Sequence, residues 1–137
     1  MSLVIIDASV AHAWVLESQR TDAARALQSA SNVSFVAPYI FAFELRSGLL
    51  KAERQSRLTT ATTDDALRLI FTIVNLEPPA DESLLEEATK FSRRHQLSFY
   101  DACYIETAHR LGAALASRDG PVLSAAARDG LLTYDAR

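Results

Sequence analysis

The sequence predicts an α/β fold: a parallel sheet with helices on both faces. Three observations carry this. Short apolar runs alternate with helical patterns from end to end of the chain. The first run, Val4 to Ile6, is wholly apolar, as a strand buried on both faces must be. At 137 residues, 49% of them hydrophobic and 23% charged, the chain has material for one buried core and fits one domain spanning residues 1–137.

The elements follow in order. After the first strand, Asp7 or Ser9 is placed to cap a helix that runs on through His12 and Trp14. Thr21 to Ala30 reads as a second helix, with Ala24, Leu27 and Ala30 along one side. Val33 to Ala37 reads as the second strand. Pro38 then opens a long helix over about 39–55, since proline is favoured in a first turn. Residues 60–74 carry Ala66, Leu69, Ile70 and Ile73 at helical spacing, so the two long helices can pair as a hairpin. Leu76-Glu77-Pro78 is the weakest strand. Asp81 caps a helix to about Arg94, and Ser98 starts another that ends near Gly112. Ala113 to Ala116 is a strand of small residues. Asp119-Gly120-Pro121 turns into a short helix through Ala127, and Leu131 to Tyr134 forms the last strand.

Composition excludes several classes. A single cysteine, Cys103, leaves no intramolecular disulfide and suits a reducing compartment. The opening residues Met1 to Asp7 lack the basic region of a signal peptide, and no apolar run reaches membrane-spanning length. A cytoplasmic protein with no membrane partner is expected. Net charge is −3, whereas an electrostatic nucleic-acid binder is normally basic. Any attraction for phosphate must then come from local arginines or bound cations.

Ligands of such sheets bind beyond the carboxyl ends of the strands. Asp7 and Asp119 follow strands there, and Glu44 and Asp101 lie in helices that begin near the same edge. Each acid has a plainer explanation. Asp7 fits a helix cap, Asp101 stands at capping-box spacing from Ser98, and Asp119 before Gly120 fits a turn. Glu44 is harder to dismiss, because positions 41, 44, 45, 48 and 49 share a helical face that is apolar apart from it. A lone carboxylate there needs an arginine or a metal ion. Gathered together, four carboxylates repel, and a hard divalent cation, Mg²⁺ or Mn²⁺, relieves the conflict. Such a cluster suits metal-assisted hydrolysis of a phosphodiester.

Other constellations are thinner. His12, His95 and His109 are scattered and form no metal-ligand spacing. The only lysines, Lys51 and Lys90, come too early for a receiver domain or an aspartyl phosphatase, and the latter also wants an aspartate where Ser9 stands. Glycines 48, 112, 120 and 130 build no phosphate loop. The hairpin of residues 39–74 holds more large apolar side chains than one stripe buries. That fits either a wide core face or a groove for a partner helix or second subunit.

The residues in Val4-Ile5-Ile6-Asp7-Ala8-Ser9, Phe43-Glu44-Leu45, Leu97-Ser98-Phe99-Tyr100-Asp101-Ala102 and Leu115-Ala116-Ser117-Arg118-Asp119 resemble, in order and spacing, four motifs of PIN domains. Size and helix pattern resemble the VapC toxins among them. The resemblance implies a three-layer sandwich around a parallel sheet of four to five strands, and a Mg²⁺-dependent (or Mn²⁺-dependent) endoribonuclease. It implies an RNA substrate such as tRNA or rRNA, a homodimer, and inhibition by a VapB-like antitoxin. It assigns Asp7, Glu44, Asp101 and Asp119 as catalytic metal ligands, with Ser9 and Ser117 in support. Ser117 replaces the family's usual threonine, and Gly120-Pro121 after the last acid departs from the usual loop. Arg46, Lys51, Arg54 and Arg118 are candidates for RNA contact by sequence position. The alternatives within the family are a nuclease of RNA processing and a non-catalytic module that binds RNA or protein.

Overall fold

The computed structural model describes residues 1–137. Five strands are present: β1 (Ser2–Ile6), β2 (Val33–Ala37), β3 (Val74–Leu76), β4 (Ala114–Ser117) and β5 (Thr133–Asp135). Seven helices connect them: α1 (Ala8–Val15), α2 (Asp22–Gln28), α3 (Ile40–Arg54), α4 (Thr60–Ile73), α5 (Glu82–His95), α6 (Phe99–Leu111) and α7 (Gly120–Arg128). A 3₁₀ turn, Glu17–Gln19, links α1 to α2.

The sheet order is β3-β2-β1-β4-β5 and every pair is parallel. The expected α/β class with a five-stranded parallel sheet is thus present. Right-handed crossovers dictate the layering. Connections stepping from β1 to β2 to β3 place α1 to α4 on one face. The return from β3 to β4 and the step to β5 place α5 to α7 on the other. The packing agrees, with α1 against α2 and α3 on one side and α6 against α5 and α7 on the other.

β1 is central, and Val4, Ile5 and Ile6 have no exposed surface. Burial on both faces explains the uninterrupted apolar run. The buried apolar residues form one continuous cluster joining β1, β4, α1, α3 and α6. Within α3, Phe41, Leu45 and Leu49 enter this core at helical spacing, with Ile70 from α4 beside them. Phe43, Leu50 and Leu69 stay on the surface.

Two boundaries differ from the sequence reading. β3 begins at Val74, directly after the last residue of α4, so it covers Val74–Leu76 and not residues 76–78. The helix passes into the strand with no glycine or proline between them, which hides the junction. Likewise β5 starts at Thr133, because Leu131 closes the turn after α7 through its bond to Ala126. No helix is long and apolar enough to cross a membrane.

Candidate functional site

In this strand order the chain reverses direction between β1 and β4, and the crevice beyond their carboxyl ends is where such sheets bind ligands. Asp7 directly follows β1, and Asp119 is the second residue after β4. Glu44 stands in the second turn of α3, and Asp101 in the first turn of α6. All four side chains line one cleft of about 360 Å³, together with Ser9, His12, Ser47, Gly48 and Tyr104.

Asp7 is the most buried of the acids, 6% exposed. It caps α1 by accepting from the Ser9 amide at 3.1 Å, so the capping role and the cleft position coincide. The hydroxyls of Ser9 and Ser117 donate to its two carboxylate oxygens. Each serine also receives a backbone proton, Ser9 from the Arg118 amide at 3.0 Å and Ser117 from the Asp119 amide at 2.9 Å. These bonds lock the end of β1 to the loop after β4.

Glu44 does not meet an arginine. The buried phenol of Tyr104, one turn beyond Asp101 on α6, donates to its Oε1 at 2.6 Å. Asp101 keeps half of the expected capping box, since its amide donates to the Ser98 hydroxyl at 3.1 Å. Its carboxylate lines the cleft. Asp119 holds the N-cap position of α7 without capping it through its side chain. Pro121, in the first turn of α7, lets the helix start directly after this acid.

None of the four acids has a cationic partner within ion-pair distance. With no cation to offset it, burial is the largest influence on Asp7, Glu44 and Asp101. It raises Asp7 to about 6, against the pull of the two serine hydroxyls and the Val10 amide, and the charge of Asp101 adds to the rise. Burial also raises Glu44, opposed by Tyr104 and helped by Asp101. Asp101 is raised by burial and by Asp119, against its bond with Ser98. The acids thus sense one another in series, with Asp101 between the others. They remain spread around the cleft: no three His, Cys, Asp or Glu side chains already stand at metal-holding separation.

The sequence-derived basic candidates lie off the cleft. Arg46 is turned onto α3 and α4, donating to the Ala42 carbonyl at 2.9 Å with its guanidinium 5.2 Å from the Phe71 ring centre. Lys51 and Arg54 are exposed in the last turn of α3. Arg118 is half-buried behind the Asp119 loop and donates to Gln19 at 3.0 Å. Sequence reasoning passed over His12, Ser47, Gly48 and Tyr104. Tyr104 stands one turn beyond Asp101 on α6, but its partner Glu44 is on another helix, so local spacing gave no signal of its role. The histidines are less scattered than their spacing suggested. His95 and His109 converge on Asp129 at the far end of α6, His109 Nδ1 lying 3.0 Å and His95 Nε2 3.7 Å from its carboxylate.

The backbone is similar to that of PAE2754 from Pyrobaculum aerophilum, at a TM-score of 0.70 and 20% identity over 97% of this chain and 91% of that one. It is similar to VapC20 of Mycobacterium tuberculosis, described as a sarcin-ricin loop cleaving toxin, at 0.68 and 19% over 89% and 94%. VapBC2 from Rickettsia felis, solved with a promoter DNA fragment, gives 0.69 and 10% over 97% and 98%. No curated protein sequence matches the chain. Such low identities establish the shared fold alone. The PIN domain family itself matches residues 4–129, which include every acid of the cleft, and the chain belongs to that family.

Proposed function

We propose that the protein is a divalent-metal-dependent endoribonuclease and the toxin of a VapBC-type pair. One observation carries the reading: four carboxylates from four separate segments line a single cleft at the switch point of the sheet, and no protein cation neutralises them. Family membership and the likeness to a cleaving toxin and to a VapBC complex support it.

The donor set fits a hard ion. The four acids offer oxygen only, which favours Mg²⁺ or Mn²⁺ over zinc. Asp7 Oδ1 accepts both the Ser9 amide and the Ser9 hydroxyl, whereas Oδ2 accepts only the Ser117 hydroxyl and keeps a second lone pair to give. Asp7, Glu44, Asp101 and Asp119 would hold the ion, gathering inward from their present spread. When bound, the ion supplies charge that polarises the attacking water and stabilises the departing oxygen of a phosphodiester. Ser9 and Ser117 fix the Asp7 carboxylate, and Tyr104 fixes that of Glu44. The RNA backbone meets a cleft whose acids are neutralised, so the chain's net charge of −3 does not bar binding.

Partners follow from the surface. Tyr39, Phe43, Phe99 and Pro79 line an apolar groove of about 180 Å³ beside the cleft, which supports a second copy of the chain docking there. Leu50 and Leu69, exposed on the α3–α4 hairpin, offer an apolar surface to an antitoxin helix.

The test is cleavage of structured RNA by purified protein with Mg²⁺ or Mn²⁺, then with a chelator, then with Asp7→Ala. Cutting is expected only for the wild type with metal. Cleavage that survives the chelator or the substitution would overturn the mechanism.

A further inference from the structure

We propose that His12 and Gly48 form a spacer that sets the width of the acid cleft, making His12 a positioning residue for Glu44. The inference rests on the nuclease reading and deepens it.

Two helices wall the cleft on the Asp7 and Glu44 sides. α1 begins at Asp7, its cap, and α3 carries Glu44. The two helices pack against each other, so their separation fixes how far apart these two acids stand. Gly48 lies one turn after Glu44 on the same face of α3. It presents bare backbone to the imidazole of His12. A Cβ at this position would overlap the ring's Nε2 and Cε1 and lie 2.9 Å from Cδ2. The absence of a side chain at position 48, and not any special backbone angle, is what lets the ring lie here, and an added methyl would force the ring to move. The ring is also keyed in place, with Nε2 3.3 Å from the Leu45 carbonyl.

The location distinguishes this contact from ordinary core packing. His12 and Gly48 are both half-buried and line the cleft with the acids. An apolar side chain at position 12 would set only the distance between the helices. The imidazole, bonded to a carbonyl of α3, also sets the rotation of α3 and with it the direction of Glu44. Glu44 is then held twice: Tyr104 fixes its carboxylate from α6, and His12 fixes its helix from α1. Productive sites tolerate only about 0.5 Å of error, so such a spacer matters for ion binding before it matters for folding.

The experiment compares the wild type with Gly48→Ala, His12→Ala and the double variant. It measures Mn²⁺ affinity by calorimetry, Tm, and kcat and KM on RNA. Gly48→Ala displaces the ring. It is expected to weaken Mn²⁺ binding about tenfold or more, as loss of a supporting contact does. It should lower kcat with little change in KM. In the double variant the clash is gone but so is the bond to Leu45, so Tm should return while Mn²⁺ affinity stays about tenfold weak, as in His12→Ala. Wild-type Mn²⁺ affinity in Gly48→Ala or in His12→Ala, or a double variant with a Tm no better than that of Gly48→Ala, would overturn the spacer. If Gly48→Ala does not fold, the double variant must still fold with a Tm at least that of His12→Ala, and failure there overturns it equally. A wild type that neither binds Mn²⁺ nor cuts RNA would sink the nuclease reading instead. The spacer contact would then be read from Tm alone, with Gly48→Ala destabilising only when His12 is present.

Discussion

Asp7 and Asp129 are both carboxylates withdrawn from water, at 6% exposure for Asp7 and 8% for the Asp129 side chain, and the fold surrounds them in opposite ways. Around Asp129 it gathers Arg94, His95 and His109 from the ends of α5 and α6. Around Asp7 it places two serine hydroxyls and, farther off, a second acid. A fold concerned only with stability neutralises a buried charge or omits it, because an unpaired one costs several kcal/mol. The Asp129 end follows that rule through the Arg94 guanidinium, 3.2 Å from its carboxylate. The Asp7 end breaks it and keeps three further acids nearby. Sites that break the rules of folding economy are where function is to be sought. This contrast supports the proposal that the negative charge at the β1–β4 crevice is kept for a cation from outside the chain.

Paired substitutions at these two positions sharpen the contrast. The largest effect is expected for Asp7→Asn: RNA cleavage should fall by more than about a hundredfold, beyond what losing a supporting residue costs. Its Tm should stay level or rise, since a buried charge has gone. Equal activity, or a Tm collapse, would break the comparison. The next effect is in pH. The folded-state pKa of Asp7 is raised from 3.8 to about 6, so the folded chain holds this proton more tightly than the unfolded chain does. Its contribution to stability is therefore fully present below pH 3.8 and is lost as pH rises to about 6. Linkage makes that loss about 3 kcal/mol. The difference in stability between Asp7→Asn and the wild type, measured without metal, should grow across this window and stay flat above it. A constant difference would contradict the burial argument.

A smaller effect is expected at the other end. Asp129→Asn should cost about 1–3 kcal/mol in denaturant unfolding, as a buried partner is lost, and leave cleavage by the folded protein unchanged. The smallest is Tyr104→Phe, which frees Glu44 without removing it. Activity should drop about tenfold, with Tm nearly unchanged. Unaltered activity would show that the phenol does not orient Glu44.

Much of the fold was legible because the chain is locally consistent. β2 was read to the residue, since Val33 to Ala37 is β-rich and Pro38 closes it. β3 was misplaced because Ile73, Val74 and Leu76 serve equally well as the end of a helix or the start of a strand. In the site, the positions of Asp7 and Asp119 were legible from strand ends, and Glu44 from its apolar helical face. Its neighbour was not. The Tyr104 hydroxyl finds Glu44 sixty positions away, and nothing in the local pattern separates that tyrosine from a plain core residue. His12 and Gly48 were equally silent, because their contact joins two helices through a missing side chain. The meeting of His95, His109 and Asp129 needed three helix ends brought together. No spacing rule along one helix reports that.

The most direct measurement is an anomalous difference map from crystals soaked in Mn²⁺. A peak is expected in the crevice with carboxylate oxygens of Asp7 and at least two of Glu44, Asp101 and Asp119 at about 2.1–2.3 Å. A map with no peak there, or with manganese bound only elsewhere on the molecule, would contradict it.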